Sequence, residues 1–441
     1  MNSKNKDNPA ITNSDSTTNN ILNDIFSVWD IVVAFSLFLF CMFVFNKMYS
    51  FQEDQALHLN FIFTKVELHK LFTSLSHNSI MQWLVYVFGF GNKAIMYQAL
   101  PFLLSIAFVS KYFVIRWINM DFLIMHRLNK FNQSLLRILA LLISFSFPVY
   151  TYLQIISQNL YRGLIPQCVW HNPTIVIAMP FAILFFWESY KLLISYSIKR
   201  IAIVFFLLLI NFFTKPVFLM PCLPIFFLCF FLFEHNNNDE IFISLSKRKV
   251  LLSILLIFPA ALVVLFLYKK YFGEQGISLS FISTLKNHDN NYHFLSNVSF
   301  VMRRMFDISS SNQILLFFFV TIALLFRIFL LNIFYIFTLF IVCKNVLFQN
   351  LYAISIWIFG LIIALLATEV KYPASENFLW HMITCNMILL VVGGNNLAYH
   401  VFNGETKKNY VFAFAAFGGL CLQTYCGMLY LMNLLFRGIW Y

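Results

Sequence analysis

The sequence predicts an all-α, polytopic integral membrane protein of about eleven transmembrane helices, at about 20 residues per crossing. Three observations predict it. Of 441 residues, 60% are hydrophobic and only 11% are charged, whereas soluble domains run nearer half apolar and a quarter charged. Mean hydropathy is +0.76, and apolar runs of spanning length recur along the chain. Basic residues gather in alternate loops between those runs, as they do when cytoplasmic loops retain Lys and Arg. A soluble enzyme fold is excluded on composition, because a bilayer is the only solvent that tolerates so much apolar surface. The 56 Phe residues exceed what two interfacial belts require, so many face lipid or pack between helices.

Residues 1–23 are rich in Asn, Ser, Thr and Asp and read as a disordered cytoplasmic tail. Residues 24–441 read as a single transmembrane domain. The first apolar run lacks a small-x-small exit, so it is a retained helix rather than a cleaved signal. Crossings are expected at residues 28–45, 95–115, 135–153, 174–194, 250–268, 351–368, 379–398 and 410–432. Lys215-Pro216 breaks the run 201–233 into two helices, the first of them short. The run 314–342 reads as one long tilted crossing that carries Arg327.

The formal net charge of +12 is accounted for by these loops, and nucleic acid is not an expected partner. With the N-terminus in the cytoplasm, the inner loops carry Arg116, Arg127 and Lys130, then Lys199 and Arg200, then Lys247, Arg248 and Lys249, then Lys344, then Lys407 and Lys408. Two longer segments, 50–93 and 269–311, fall on the extracytoplasmic side. In the first, Leu57, Phe61, Val66, Leu71 and Leu75 recur near helical spacing, which predicts amphipathic helices lying at the outer interface. The eight cysteines lie mostly in or beside apolar runs and suggest neither a disulfide framework nor a zinc site.

In such a chain the informative residues are polar groups at membrane depth or at the outer mouth, where each is costly unless paired. Four places stand out. Asp54 and His58 follow the first helix four residues apart, with Glu53 beside them; on a helix they share a face, and a carboxylate there can orient an imidazole, act as a base or hold a divalent cation. The plainer alternative is an ordinary solvated loop start. His171 and Asn172 precede Pro173 and Thr174 at the mouth of the fourth helix, where helix-start donors attract phosphate or carboxylate, or where Asn172 merely caps the helix. Lys215 stands at an outward turn and either snorkels or meets an anion. Glu369, Lys371, Asn377 and Trp380 crowd the short loop between two late helices, as a site border or as a plain interfacial loop. All four places fall on one side.

Read in order, Asp54 and His58, His77-Asn78-Ser79, Trp170-His171-Asn172-Pro173-Thr174, Lys215-Pro216-Val217-Phe218-Leu219, and Glu369 followed by Asn377, Phe378 and Trp380 resemble a family of bacterial polytopic membrane proteins. That family is similar in layout to the GT-C glycosyltransferases, and the resemblance covers nearly the whole chain. It implies an acidic motif in the first extracytoplasmic loop, where Glu53 and Asp54 stand. It also implies sugar transfer from a polyprenyl-phosphate carrier to a saccharide or lipid acceptor, in surface polysaccharide or glycolipid assembly at the cytoplasmic membrane. Asp54 would be the base or metal-linked carboxylate, with Glu53 beside it and His58 as its partner. His171, Asn172 and Lys215 would hold the carrier phosphate, and Glu369, Lys371, Asn377 and Trp380 would line the substrate. The late loop departs from the family pattern, with Lys371 where an arginine is usual and Ser375-Glu376 in place of His-Gly. Lysine offers a point charge rather than a bidentate fork. A transporter or flippase of lipid-linked saccharides, or a polymerase, fits the same features.

Overall fold

The computed structural model describes residues 27–49, 53–67, 79–128, 131–146, 172–235, 241–243, 277–279, 332–342, 346–369, 380–403 and 409–437. These form a helical bundle. Five of its helices are long and apolar enough to cross a membrane: Val28–Met48, Lys93–Met125, Pro173–Ile194, His381–Asn403 and Tyr410–Met432. The chain is therefore an α-helical membrane protein with five candidate spans among the described residues. The expected crossing at 250–268 and most of that at 314–342 lie outside them.

The helices in chain order are α1 (Val28–Tyr49), α2 (Glu53–Glu67), α3 (Ser79–Phe88), α4 (Lys93–Met125), α5 (Gln133–Phe145), α6 (Pro173–Ile194), α7 (Ile198–Thr214) and α8 (Leu219–Leu232). After them come α9 (Ile333–Leu339), α10 (Leu347–Leu366), α11 (Trp380–Asn403) and α12 (Tyr410–Arg437). A 3₁₀ turn, Pro216–Phe218, links α7 to α8. Four strands of three residues each make two antiparallel pairs: β1 (Phe233–His235) with β2 (Ile241–Ile243), and β3 (Ile277–Leu279) with β4 (Ala367–Glu369).

Side-chain caps explain where several helices begin. The Asn92 side chain accepts from Ala94 N, Asn132 from Ser134 N and Leu135 N, and Ser197 from Arg200 N. Each satisfies donors that the first turn leaves open. Pro101 lies inside α4 and Pro180 inside α6, where a missing N–H loosens the ladder. Nearby, Ser105 Oγ donates to Pro101 O at 2.8 Å, and Asn211 Nδ2 of α7 donates to Phe181 O of α6 at 3.0 Å.

Burial separates centre from rim. In α11, 94% of the spanning window is buried, against 28% in α1, so α11 is the axis of the bundle and α1 lies at its edge. Two adjacent glycines let neighbours close on α11. A Cβ on Gly393 would stand 2.9 Å from the Phe334 ring, and one on Gly394 would stand 2.7 Å from Ile143 Cδ1. Around this axis α4 packs against α1, α5, α6 and α11, while α10 packs against α8 and α11.

Chain direction alternates. Asp30 at the start of α1 meets Arg116 late in α4 and Arg137 early in α5, and Asp121 late in α4 meets Lys191 late in α6. These contacts define an N-terminal face, on which α1 and α5 begin and α4 and α6 end. Helix α4 is longer than expected: it runs to Met125, about 50 Å, whereas the apolar run stops at residue 115. Arg116 therefore belongs to the helix and not to a loop, and it is only 3% exposed. The reason is electrostatic, since Asp30 and Gln133 supply partners that let the helix continue through a charged residue.

Candidate functional site

Segment 53–67 folds as α2, which places Glu53, Asp54 and His58 on one helix packed against α1 and α4. Asp54 and His58 are four residues apart there and so share a face; His58 is half-buried. Further along α2, Lys65 Nζ donates to Gln82 Oε1 of α3 at 2.8 Å. Burial holds this ammonium below the ordinary lysine range, since desolvation disfavours the charged form. The link ties α2 to α3, so the first long segment is anchored on the bundle.

Asn172 caps α6. Its side-chain oxygen accepts from Thr174 N at 3.0 Å and from Ile175 N at 3.4 Å, and the Thr174 hydroxyl donates to it as well. The helix begins at Pro173, whose missing N–H costs nothing at that position. This engages the acceptor of Asn172 in starting the helix and leaves its NH₂ as the group available to a ligand.

Lys215 is buried, 8% exposed, at the junction of α7 with the 3₁₀ turn, and its backbone N–H donates to Asn211 O at 2.8 Å. That turn packs against α7, α8 and α11. Trp380 is the first residue of α11, and Glu369 closes β4 in register with Ile277. The β3 and β4 pair thus joins the second long segment to the late loop, two stretches expected on the same side of the membrane. His171, Lys371 and Asn377 lie outside the described residues. The structure accordingly brings the Lys215 turn against the helix that Trp380 opens.

The bundle also holds polar residues that reading the sequence passed over. Asp30, fully buried on α1, accepts from Arg137 Nε at 2.8 Å, pairs with Arg116 Nη1 at 3.0 Å and accepts from Ser27 Oγ at 2.9 Å. On the same face Asp121 Oδ2 accepts from Trp187 Nε1 at 2.7 Å and Lys191 Nζ at 2.9 Å, and Lys191 also reaches Glu188. Between α10 and α11, Asn350 and Asn396 exchange amide hydrogen bonds of 2.8 and 3.1 Å, with Tyr335 OH donating to Asn350. The buried carboxamides of Asn119, Gln349 and Asn395 have no hydrogen-bond partner among the described residues.

Lys111 is buried on α4 away from the ion pairs of the N-terminal face. It is 1% exposed and sits about 21 Å along α4 from Met125. Its Nζ donates to Ser144 O at 2.7 Å and lies 3.9 Å from the Phe108 ring centroid. The available signal was a lysine inside an apolar run. A helix ending at residue 115 would set Lys111 near a boundary, within snorkelling reach of water; the longer α4 places it deep instead.

Among the described residues no three His, Cys, Asp or Glu side chains gather as a metal site, and the described cysteines are free thiols. The fold and these sites define an α-helical membrane protein with polar groups invested at helix ends and within the bundle. Compared with known family models, curated proteins and solved structures, the chain matches none.

Proposed function

We propose that the chain is a GT-C-like glycosyltransferase of the cytoplasmic membrane, transferring a sugar from a polyprenyl-phosphate carrier at the extracytoplasmic face, in surface polysaccharide or glycolipid assembly. The observation that carries this reading is the buried Lys215 at a turn packed against α11, with α2 bearing Asp54 and His58 on the same bundle. A buried ammonium beside a helix start is suited to a phosphate, through charge and oriented donors. Asp54 acts as base, or holds a divalent cation, with Glu53 beside it and His58 orienting it. His171, Asn172 and Lys215 hold the carrier phosphate. Glu369, Lys371, Asn377 and Trp380 border the sugar and acceptor, Trp380 by stacking.

Purified protein in detergent, where there is no membrane to cross, should form product from a polyprenyl-phosphate sugar. Asp54→Asn should abolish product while leaving thermal unfolding unchanged; undiminished product in that variant would remove the base assignment. The second reading, a transporter or flippase of the same lipid-linked saccharides, is favoured by Lys111 deep in the bundle. It predicts no product in detergent but saccharide movement in proteoliposomes.

A further inference from the structure

Lys111 raises a question that the outer mouth does not answer. An ammonium offers three donors, and the described residues supply one carbonyl and one ring face. No carboxylate among them lies within ion-pair distance of it. Beside it the Ser144 hydroxyl is buried and has no partner among the described residues. Phe40 of α1 packs edge-on against Phe145 at 5.9 Å between ring centroids, and Phe145 in turn packs against Phe108, the ring beside Lys111. Among the described residues, the remaining donors of Lys111 and the Ser144 hydroxyl stand side by side without partners in a hydrocarbon setting, which matches a ligand that presents several anionic oxygens.

Helix α1 is what covers this place. It lies at the rim of the bundle, with Val32, Phe35, Leu39 and Phe43 exposed and Cys41, Val44 and Phe45 buried on its inner side. Its start is held where Asp30 pairs with Arg116 of α4 and Arg137 of α5, and its far end is packed through Val44, Phe45 and Met48. Cys41 stands about 17 Å along the helix from Asp30. A rim helix packed at its far end and held at its exposed start by ion pairs can swing about the packed end when those pairs break, uncovering the buried lysine between.

We propose that α1 is a lateral gate over an oxyanion site formed by Lys111 and Ser144, which takes the phosphate of a lipid entering from the bilayer, with Asp30 as the latch. The proposal stands on residues other than those of the outer mouth, so it survives or fails independently of the transferase reading.

The test uses the full chain with Cys41 as its only cysteine, in phosphate-free maltoside micelles, and reads the rate of Cys41 alkylation by N-ethylmaleimide. Asp30→Asn should raise that rate about tenfold, with Arg137→Gln as the second variant should the first not fold. Added phosphatidylglycerol should slow alkylation of the Asp30→Asn protein severalfold, added diacylglycerol should not, and Lys111→Met should erase the difference between the two lipids. Protection by inorganic phosphate but not by the lipid would keep the Lys111 site and overturn the lateral route. Equal rates with every additive, or lipid protection that persists in Lys111→Met, would overturn the site. An unchanged rate in both latch variants would overturn the gate.

Discussion

Single residues in this protein show which polar groups serve the fold and which are held for something else. Asn172 serves the fold: with its oxygen bound to the first turn of α6, Asn172→Ala should cost about 1 kcal/mol. Asn172→Asp should restore most of that loss, as read by thermal unfolding in detergent. Lys65 gives a pH signature. Its folded value is lowered by burial from the ordinary 10.5, so over the interval between the lowered value and 10.5 the unfolded chain binds more protons. Stability should therefore rise with pH through that window, and Lys65→Met should flatten the rise in unfolding midpoints measured across it. Of the expected site, the helical placement of Asp54 and His58 and the cap at Asn172 were legible in local spacing. Lys111 and Asp30 were not, because each is defined by partners far away in sequence, Ser144 for the one and Arg116 and Arg137 for the other.

At the scale of elements, helix contact in this bundle depends on small residues where the backbones approach closely. Gly393 faces the Phe334 ring of α9, whereas a Cβ on Gly418 of α12 would meet nothing within 4 Å. Gly393→Val should thus destabilise the protein by about 1–3 kcal/mol through overpacking. Gly418→Ala should be neutral or stabilising by up to about 1 kcal/mol, from helix propensity alone. Comparing the two unfolding midpoints checks both. Element ends show why the apolar runs mislead by several residues. Hydropathy stopped the second helix at residue 115, but hydrogen bonding and ion pairing carry α4 on to Met125. The break at Lys215-Pro216 was legible, because proline removes a donor wherever it stands.

For the whole molecule, the alternation of helix directions sets which residues share a side. Lys199, beside the start of α7, belongs to the N-terminal face, and Lys93, at the start of α4, belongs to the opposite one. With the N-terminus cytoplasmic, as the loop charges lead us to propose, Lys199→Cys in a cysteine-free chain should react with an impermeant maleimide only from the cytoplasmic side. Lys93→Cys should react only from outside. The reverse pattern would invert the topology, and labelling of both from one side would break the alternation itself.

The sequence by itself determined that this is an α-helical membrane protein, where its chain punctuates and where several helices begin. Those properties follow from hydropathy, proline and capping side chains, which act over a few residues. Only the tertiary structure decided that α11 is the axis and α1 the rim, that Arg116 is a buried partner of Asp30, and that Lys111 lies deep beside Ser144. Burial and ion pairing belong to pairs of surfaces, and no single stretch of chain carries both members of the pair.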